Sequence, residues 1–366
     1  MPFRGRQLSG EKDCRVGLVA NRSDNFLSVI VPSYNRKEEI QALLASLERQ
    51  ELSSDHFEII IVDDGSSDGT DDWIYDFSKK ARLNINFVRQ DRQGPGAARN
   101  LGMSSAKGDL FVFIDSDCTA PPNWLSIIKS TFDRDPTIRA FGGRDDARAD
   151  FAPLLLAINY SMTSFLTTGG MRGGKKKRLA KFYPRSFNMG VHRELYEKIG
   201  GFGALRHGQD IEFSNRIRKS GEKVVYIHDA VVYHKRRTSL RTFFRQVFNW
   251  GVARINLYKI DSSMLEPLHF VPALAFWFVI LCTLGALIFP AVFVVWKYIA
   301  LIGLLALLLS AIDAAMKWKN VTVGLLVPLV MPLQIAGYGL GFSLAFLRRV
   351  LLRQSEFSGF VKKYYK

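Results

Sequence analysis

Two carboxylates spaced two residues apart, Asp115-Ser116-Asp117, close the apolar run Leu110 to Ile114. Where a strand opens into a loop, both can reach one hard divalent cation, directly or through water. Such a cation would neutralise a diphosphate and stabilise the charge that develops on it as it leaves. In isolation the same triplet is a common solvent-facing Asx turn. A second acidic run, Asp63-Asp64-Gly65-Ser66-Ser67-Asp68-Gly69-Thr70, follows apolar Phe57 to Val62. Carboxylates there can accept hydrogen bonds from a base or a ribose hydroxyl, and the glycines let the backbone turn sharply. Pro32-Ser33-Tyr34-Asn35-Arg36 occupies the equivalent place after Leu27 to Val31. Neither a GxxxxGK[ST] loop nor a GxGxxG turn follows that first run, which disfavours an ATPase or a dinucleotide oxidoreductase.

Apolar runs and helical repeats supply the elements that must carry these residues. Leu27 to Val31, Phe57 to Val62, Ile85 to Val88 and Leu110 to Ile114 read as buried strands. Between and after them, Lys37 to Leu47, Thr70 to Phe77, Gly96 to Ser105 and Asn123 to Phe132 have helical spacing. This alternation predicts an α/β fold, a doubly wound and mostly parallel sheet with ligands at the carboxyl ends of its strands. After Ile138 to Gly142 the alternation becomes less regular. Phe151 to Thr168 reads either as an interfacial helix or as a helix packed in the core. Gly169 to Arg178, rich in glycine and lysine, reads as a mobile loop beside the substrate site or a plain surface loop.

The 366 residues divide by composition. Residues 1–25 read as a poorly ordered lead, 26–235 as the catalytic domain and 236–266 as a basic interfacial region. Residues 267–347 read as a transmembrane region and 348–366 as a basic tail. From Leu268 to Leu347 the chain is mostly apolar, and Leu268 to Val295, Ile299 to Ile312 and Val321 to Leu347 give three spans as the simplest count. The formal charge of +16 includes Lys235, Arg236, Arg237, Arg241, Arg245, Arg254 and Lys259, a stretch without acids just before the apolar part. Placed there, the charge suits the anionic cytoplasmic leaflet better than nucleic acid. Cys14, Cys118 and Cys282 form no CxxC pair, and no apolar core follows Arg4 and Arg6, so an integral membrane protein with a cytoplasmic catalytic part is expected. Three spans would put Arg348, Arg349, Arg353 and the Lys362-Lys363 tail outside, against the positive-inside rule. Pro328, Pro332, Gly337, Gly339 and Gly341 therefore predict a broken or re-entrant last helix that returns the tail to the cytoplasm.

Four segments together resemble the family 2 glycosyltransferases of GT-A fold. They are Val29 to Arg36, Val62 to Thr70, Gly94-Pro-Gly-Ala-Ala-Arg-Asn-Leu-Gly102 and Asp115 to Asp117, and the resemblance covers about residues 26 to 255. It implies that Pro32, Tyr34, Asn35, Asp63, Asp64, Arg99, Asp115 and Ser116 bind the nucleotide-sugar. It also implies that Asp115 and Asp117 hold Mn2+ or Mg2+ against the diphosphate, with His234 as a further ligand. Phe187-Asn188-Met189-Gly190 resembles the segment lining the donor-sugar and acceptor site. His207 to Glu212 resembles the segment with the catalytic base, with Gln209 in place of the usual first acid and Asp210 left as the base. Gln246-Val-Phe-Asn-Trp250 resembles the Gln-x-x-Arg-Trp of processive synthases. Here Asn249 replaces the Arg, which an amide cannot imitate; Arg245 or Arg254 could serve the diphosphate instead.

The resemblance implies an inverting hexosyl transfer from a UDP- or GDP-sugar to a polyprenyl-linked or other lipid acceptor hydroxyl. One carboxylate suffices as base because the departing diphosphate is assisted by the metal. The alternatives are a polyprenyl-phosphate glycosyltransferase, whose ionised acceptor needs no base, a processive polysaccharide synthase, and a non-catalytic membrane scaffold.

Overall fold

The computed structural model describes residues 25–148, 150–168, 182–235 and 239–360. The first strand, β1 (Leu27–Ser33), leads through α1 (Lys37–Leu47) to β2 (Phe57–Asp63), α2 (Thr70–Ser78) and β3 (Ile85–Arg89). There follow α3 (Pro95–Ser105), β4 (Leu110–Ile114), the short β5 (Cys118–Thr119), α4 (Trp124–Arg134) and β6 (Ile138–Asp146). Every residue of β1, β2 and β4 is buried, as expected for strands covered by helices on both faces. β1 pairs in parallel with β2 from Leu27–Phe57 to Ser33–Asp63, and also with β4, while β3 extends the same parallel run. The carboxyl ends of β1, β2 and β4 thus share one edge, which sets Tyr34, Asp64 and Asp115 side by side.

Beyond β4 the sheet changes direction. β7 (Asn188–His192) lies antiparallel between β4 and β6, and it is followed by α7 (Arg193–Ile199), α8 (Gln209–Lys219) and β8 (Lys223–His234). β8 runs parallel to β6, and its last residues pair with β5, Cys118 opposite His234. The order is β3-β2-β1-β4-β7-β6-β8-β5, a mostly parallel mixed sheet with an apolar core on each face.

Between β6 and β7 lies α5 (Pro153–Thr163), followed by the short α6 (Phe165–Thr168). After β8 come α9 (Leu240–Ile260), α10 (Val271–Ile288), α11 (Pro290–Trp318) and α12 (Val321–Phe346). Of the two readings of Phe151 to Thr168, the packed helix holds: Leu156, Ala157, Ile158 and Met162 are buried in one cluster with Phe243 and Val247 of α9 and Val323, Val327 and Val330 of α12.

Three helices, Pro267–Ile288, Pro290–Trp318 and Val321–Leu351, are long and apolar enough to cross a membrane. Their boundaries correct the sequence reading. The first apolar run does not continue to Val295, because the chain leaves helical geometry at Phe289 and Pro290 restarts it. The second run is consequently long, 29 residues. The last helix is not broken: α12 is continuous through Pro328 and Pro332. Its glycines serve close packing instead. A Cβ on Gly341 would come 2.1 Å from the Phe248 carbonyl oxygen, and one on Gly251 of α9 would come 2.3 Å from that of Tyr338.

The N-terminal lead, Cys14, Arg236, Arg237, the Gly169 to Arg178 loop and the Lys362-Lys363 tail lie outside the described residues.

Candidate active site

At the carboxyl edge of the sheet a cleft of about 180 Å³ brings together residues from six segments, Met162 of α5 among them. Asp115 and Asp117 come from the β4–β5 turn, Arg185, Ser186 and Phe187 from the approach to β7, and Asp210 from the first turn of α8. His234 and Lys235 end β8, and Gln246 and Trp250 come from α9. The volume is below the roughly 300–1,000 Å³ of complete small-molecule sites, so the enclosed part suits the reacting end of a ligand whose remainder lies along the open strand ends.

One wall holds a carboxylate–imidazole pair. His234 Nε2 lies 3.2 Å from Asp117 Oδ1, both side chains mostly buried. Ligands adjacent on an octahedral ion, at about 2.1 Å each, sit roughly 3 Å apart, so the pair has the separation and the oxygen and nitrogen donors of a Mn2+ or Mg2+ site. Cys118 completes a group whose donor atoms all lie within 4.8 Å, but its thiol is a soft donor buried in the apolar core. Asp115 stands apart from this pair: it accepts a hydrogen bond from Arg99 Nη2 at 2.6 Å. Of the expected metal ligands, Asp117 and His234 are therefore together, and Asp115 is engaged by a guanidinium.

Asp210 lines the same cleft. Its carboxylate accepts from Arg185 Nε at 2.6 Å and from the Ile211 backbone N–H at 3.0 Å. Burial by itself would raise this carboxyl, but the charges of Arg185 and Arg99 outweigh it and hold the group below the usual carboxylate range. Arg185 was not singled out by sequence, and nothing in its neighbours marks it beyond its place two residues before Phe187.

α9 roofs the cleft. Gln246 and Trp250 are four residues apart and share a helix face, and Arg254 continues that face one turn on. Burial lowers the Arg254 guanidinium, which lies within the fields of Arg185, Tyr183 and Asp210, and its Nη1 is buried without a hydrogen-bond partner. Arg245 is elsewhere: it is exposed, with its guanidinium 5.6 Å from the Phe360 ring.

The residues expected to meet the nucleotide divide between a surface and a scaffold. Tyr34 is half-buried with the Arg92 guanidinium 4.0 Å over its ring, and Pro32 and Ser116 are buried beside it and Asp115 in sequence. Asn35 adopts φ 50° and cross-links two turns, accepting from Ser67 N–H at 2.8 Å while its own N–H donates to Ser66 Oγ at 2.8 Å. Asp63 and Asp64 are buried and use their carboxylates internally. Asp63 accepts from the Ser66 N–H and hydroxyl, and Asp64 accepts from Gln90, from Gln93 N–H and from Gly94 N–H.

Two further residues expected on the acceptor or diphosphate side, besides Arg245, sit outside the cleft lining. Asn188 is fully buried, accepting from Trp124 Nε1 at 3.1 Å and donating to the carbonyls of Arg144 at 2.9 Å and Ala230 at 2.8 Å. It ties β7 to its neighbours. Gln209 is buried against Gly96 at the start of α3, where an added Cβ would meet its amide at 2.6 Å.

Residues 28–200 match the family model "Glycosyl transferase family 2", and residues 178–351 match "Glycosyl transferase family 21". Glycosyltransferase AglE of Haloferax volcanii is 28% identical over 70% of this chain and 80% of its own length. A dolichyl N-acetyl-alpha-D-glucosaminyl phosphate 3-beta-D-2,3-diacetamido-2,3-dideoxy-beta-D-glucuronosyltransferase of Methanococcus voltae is 25% identical over 63% of this chain and 73% of its own. Among solved structures, the mannosyltransferase PcManGT of Pyrobaculum calidifontis, in complex with GDP-Man and Mn2+, has the same fold: TM-score 0.57 at 20% identity, covering 84% of this chain and 87% of its own.

Proposed function

The chain is a family 2 glycosyltransferase of GT-A fold with C-terminal apolar helices, and from that premise we propose that it transfers a hexosyl group, with inversion, from a UDP- or GDP-sugar to a hydroxyl of a lipid-linked acceptor. The observation that supports this reading is that Asp117, His234 and Asp210 line one cleft. Asp117 and His234 are the pair that suits the diphosphate and Asp210 the carboxylate that suits the acceptor, with Gln246 and Trp250 of α9 in the same lining just before the apolar helices.

In the reaction the anomeric carbon–oxygen bond to the diphosphate breaks as the acceptor oxygen bonds to the opposite face of that carbon. Asp210 takes the acceptor's proton. Bound between Asp117 and His234, Mn2+ or Mg2+ would supply the positive charge that stabilises the departing diphosphate. Arg99 holds Asp115 in place at that end. Tyr34 offers a ring face to the base, while Asn35, Asp63 and Asp64 fix the turns around it. Gln246 and Trp250 contact the acceptor, and Arg254 receives its phosphate. GDP-Man and Mn2+ in the Pyrobaculum mannosyltransferase and the dolichyl acceptor named for the Methanococcus relative agree with these choices. The catalytic domain lies in the cytoplasm, with anionic lipid against the basic face of α9.

The second reading, transfer to a polyprenyl phosphate, has one specific observation in its favour. Asp210 is already charge-paired with Arg185, and an ionised phosphate acceptor would need the arginine rather than a base.

Release of nucleoside diphosphate from a panel of UDP- and GDP-sugars, with polyprenyl phosphate and polyprenyl-diphosphate-sugar offered separately, tests both. Turnover only with soluble sugars would remove the lipid acceptor. An absence of turnover or donor hydrolysis with every donor and metal would return the scaffold reading.

A further inference from the structure

Beyond α12 the chain passes through a π turn, Leu347–Leu351, and then folds back along α9. Phe360 N–H donates to Asn249 Oδ1 at 3.1 Å, and Asn256 Nδ2 donates to the Phe357 carbonyl at 2.9 Å. Asn256 Oδ1 in turn accepts from Arg349 at 2.6 Å. The Phe360 ring packs on Phe248, centroids 4.7 Å apart. Gly359 has φ 65°, and a Cβ there would come 2.3 Å from Asn249 Oδ1. Asn249 stands where the synthases that this stretch resembles carry an arginine, and its side chain is committed to the tail.

The same segment reaches the acceptor-side wall. His207 Nε2 lies 3.3 Å from the Ser358 carbonyl oxygen. Gly208, in the left-handed region, caps α8, and Asp210 lies in the first turn of that helix.

Such contacts hold residues 352–360 against α9 and the turn before α8. α10 and α11 form a hairpin whose tip is closed by Trp296 Nε1 donating to Thr283 at 3.1 Å. α12 touches the returning end of α11, with Gly324 against Ala311 and Ala315, and the starting end of α10, with Gly339 against Ala273 and Phe276. Between those points Ser161 of α5 donates to Gln334 at 2.7 Å. The helix therefore runs across the hairpin's base, beside α5 and α9.

We propose that residues 352–360 are a strap, anchored by Asn249 and Asn256, that positions the His207–Asp210 turn from the catalytic side. The positioning role rests on Asp210 being the acceptor-side carboxylate, whereas the docking of the strap does not. Asn249→Ala lowers kcat about tenfold, a step well inside the roughly hundredfold that a 1 Å misplacement can cost, with donor KM unchanged. Asn249→Asp keeps the oxygen that accepts from Phe360 N–H and restores kcat. Gly359→Val, on the tail itself, reproduces the loss without altering α9.

Docking is read separately in sealed inverted vesicles carrying a Ser358→Cys chain. An impermeant maleimide labels this cysteine from the catalytic side, slowly in the parent and several-fold faster with Asn249→Ala. Labelling only from the far side overturns the strap. Fast labelling with kcat unchanged in both Asn249→Ala and Gly359→Val overturns its positioning role. If the wild-type chain turns over no donor, the functional reading fails while the labelling arm still decides the docking.

Discussion

Arg185 and Asp210, 25 residues apart in sequence, form a 2.6 Å ion pair in the lining of the cleft. The arginine holds the carboxylate ionised and fixes its direction, but it also occupies an oxygen that an acceptor proton would need. An incoming acceptor has to share or displace that contact.

Replacing Asp210 with Asn leaves the shape of the wall and removes the base. For a hydroxyl acceptor turnover falls about 10²–10⁴-fold, while donor affinity, followed by isothermal titration, is retained. Turnover within tenfold of the parent would support the phosphate acceptor instead.

Arg185→Gln tests how the pair sets the pH response. Burial pushes the Asp210 carboxyl up, and the Arg185 and Arg99 charges pull it down further than that. A depressed folded value means the pair's contribution to stability is present above the ordinary carboxylate value of 3.8 and is lost as pH falls through the folded value. The acid limb of kcat/KM moves upward in Arg185→Gln, because one cation no longer opposes burial. An acid limb that stays in place would show that Arg185 does not govern Asp210.

Asp117→Asn and His234→Ala each weaken Mn2+-dependent donor binding by tenfold or more, measured by metal titration with donor present. Cys118→Ser leaves the metal response unchanged, since a hard ion is held by the carboxylate and imidazole. Chelation of the parent abolishes turnover and is reversed by Mn2+ or Mg2+.

Asn188→Ala is a stability variant. It strands the Trp124 Nε1–H and the carbonyls of Arg144 and Ala230 in the core, at about 2–4 kcal/mol. The melting temperature drops by several degrees with donor KM unaltered; an unchanged melting temperature with raised KM would restore Asn188 to the acceptor site.

Much of the first half of the fold was legible because it is built from local, repeated patterns. Uniformly apolar runs could only be covered strands, and helical spacing such as Ile40, Leu43, Leu44 and Leu47 set α1 to its observed limits. Glycines and prolines in α12 misled the reading. In water they end helices, but beside α9 the lack of a Cβ allows two backbones to touch, and that benefit exists only in the packed pair.

By itself the sequence determined the order of the alternating strands and helices in the first half of the fold, the edge where their ends gather and the acids at that edge, because parallel strands separated by helices deliver every strand end to the same side. Only the tertiary structure decided which partners those acids meet. The β5–β8 pairing sets His234 against Asp117, α3 takes Asp115 through Arg99, and the approach to β7 brings Arg185 to Asp210. It also decided that Asn249 serves the tail. These are contacts between residues far apart in the chain, fixed by sheet register and helix packing, and no local pattern records them.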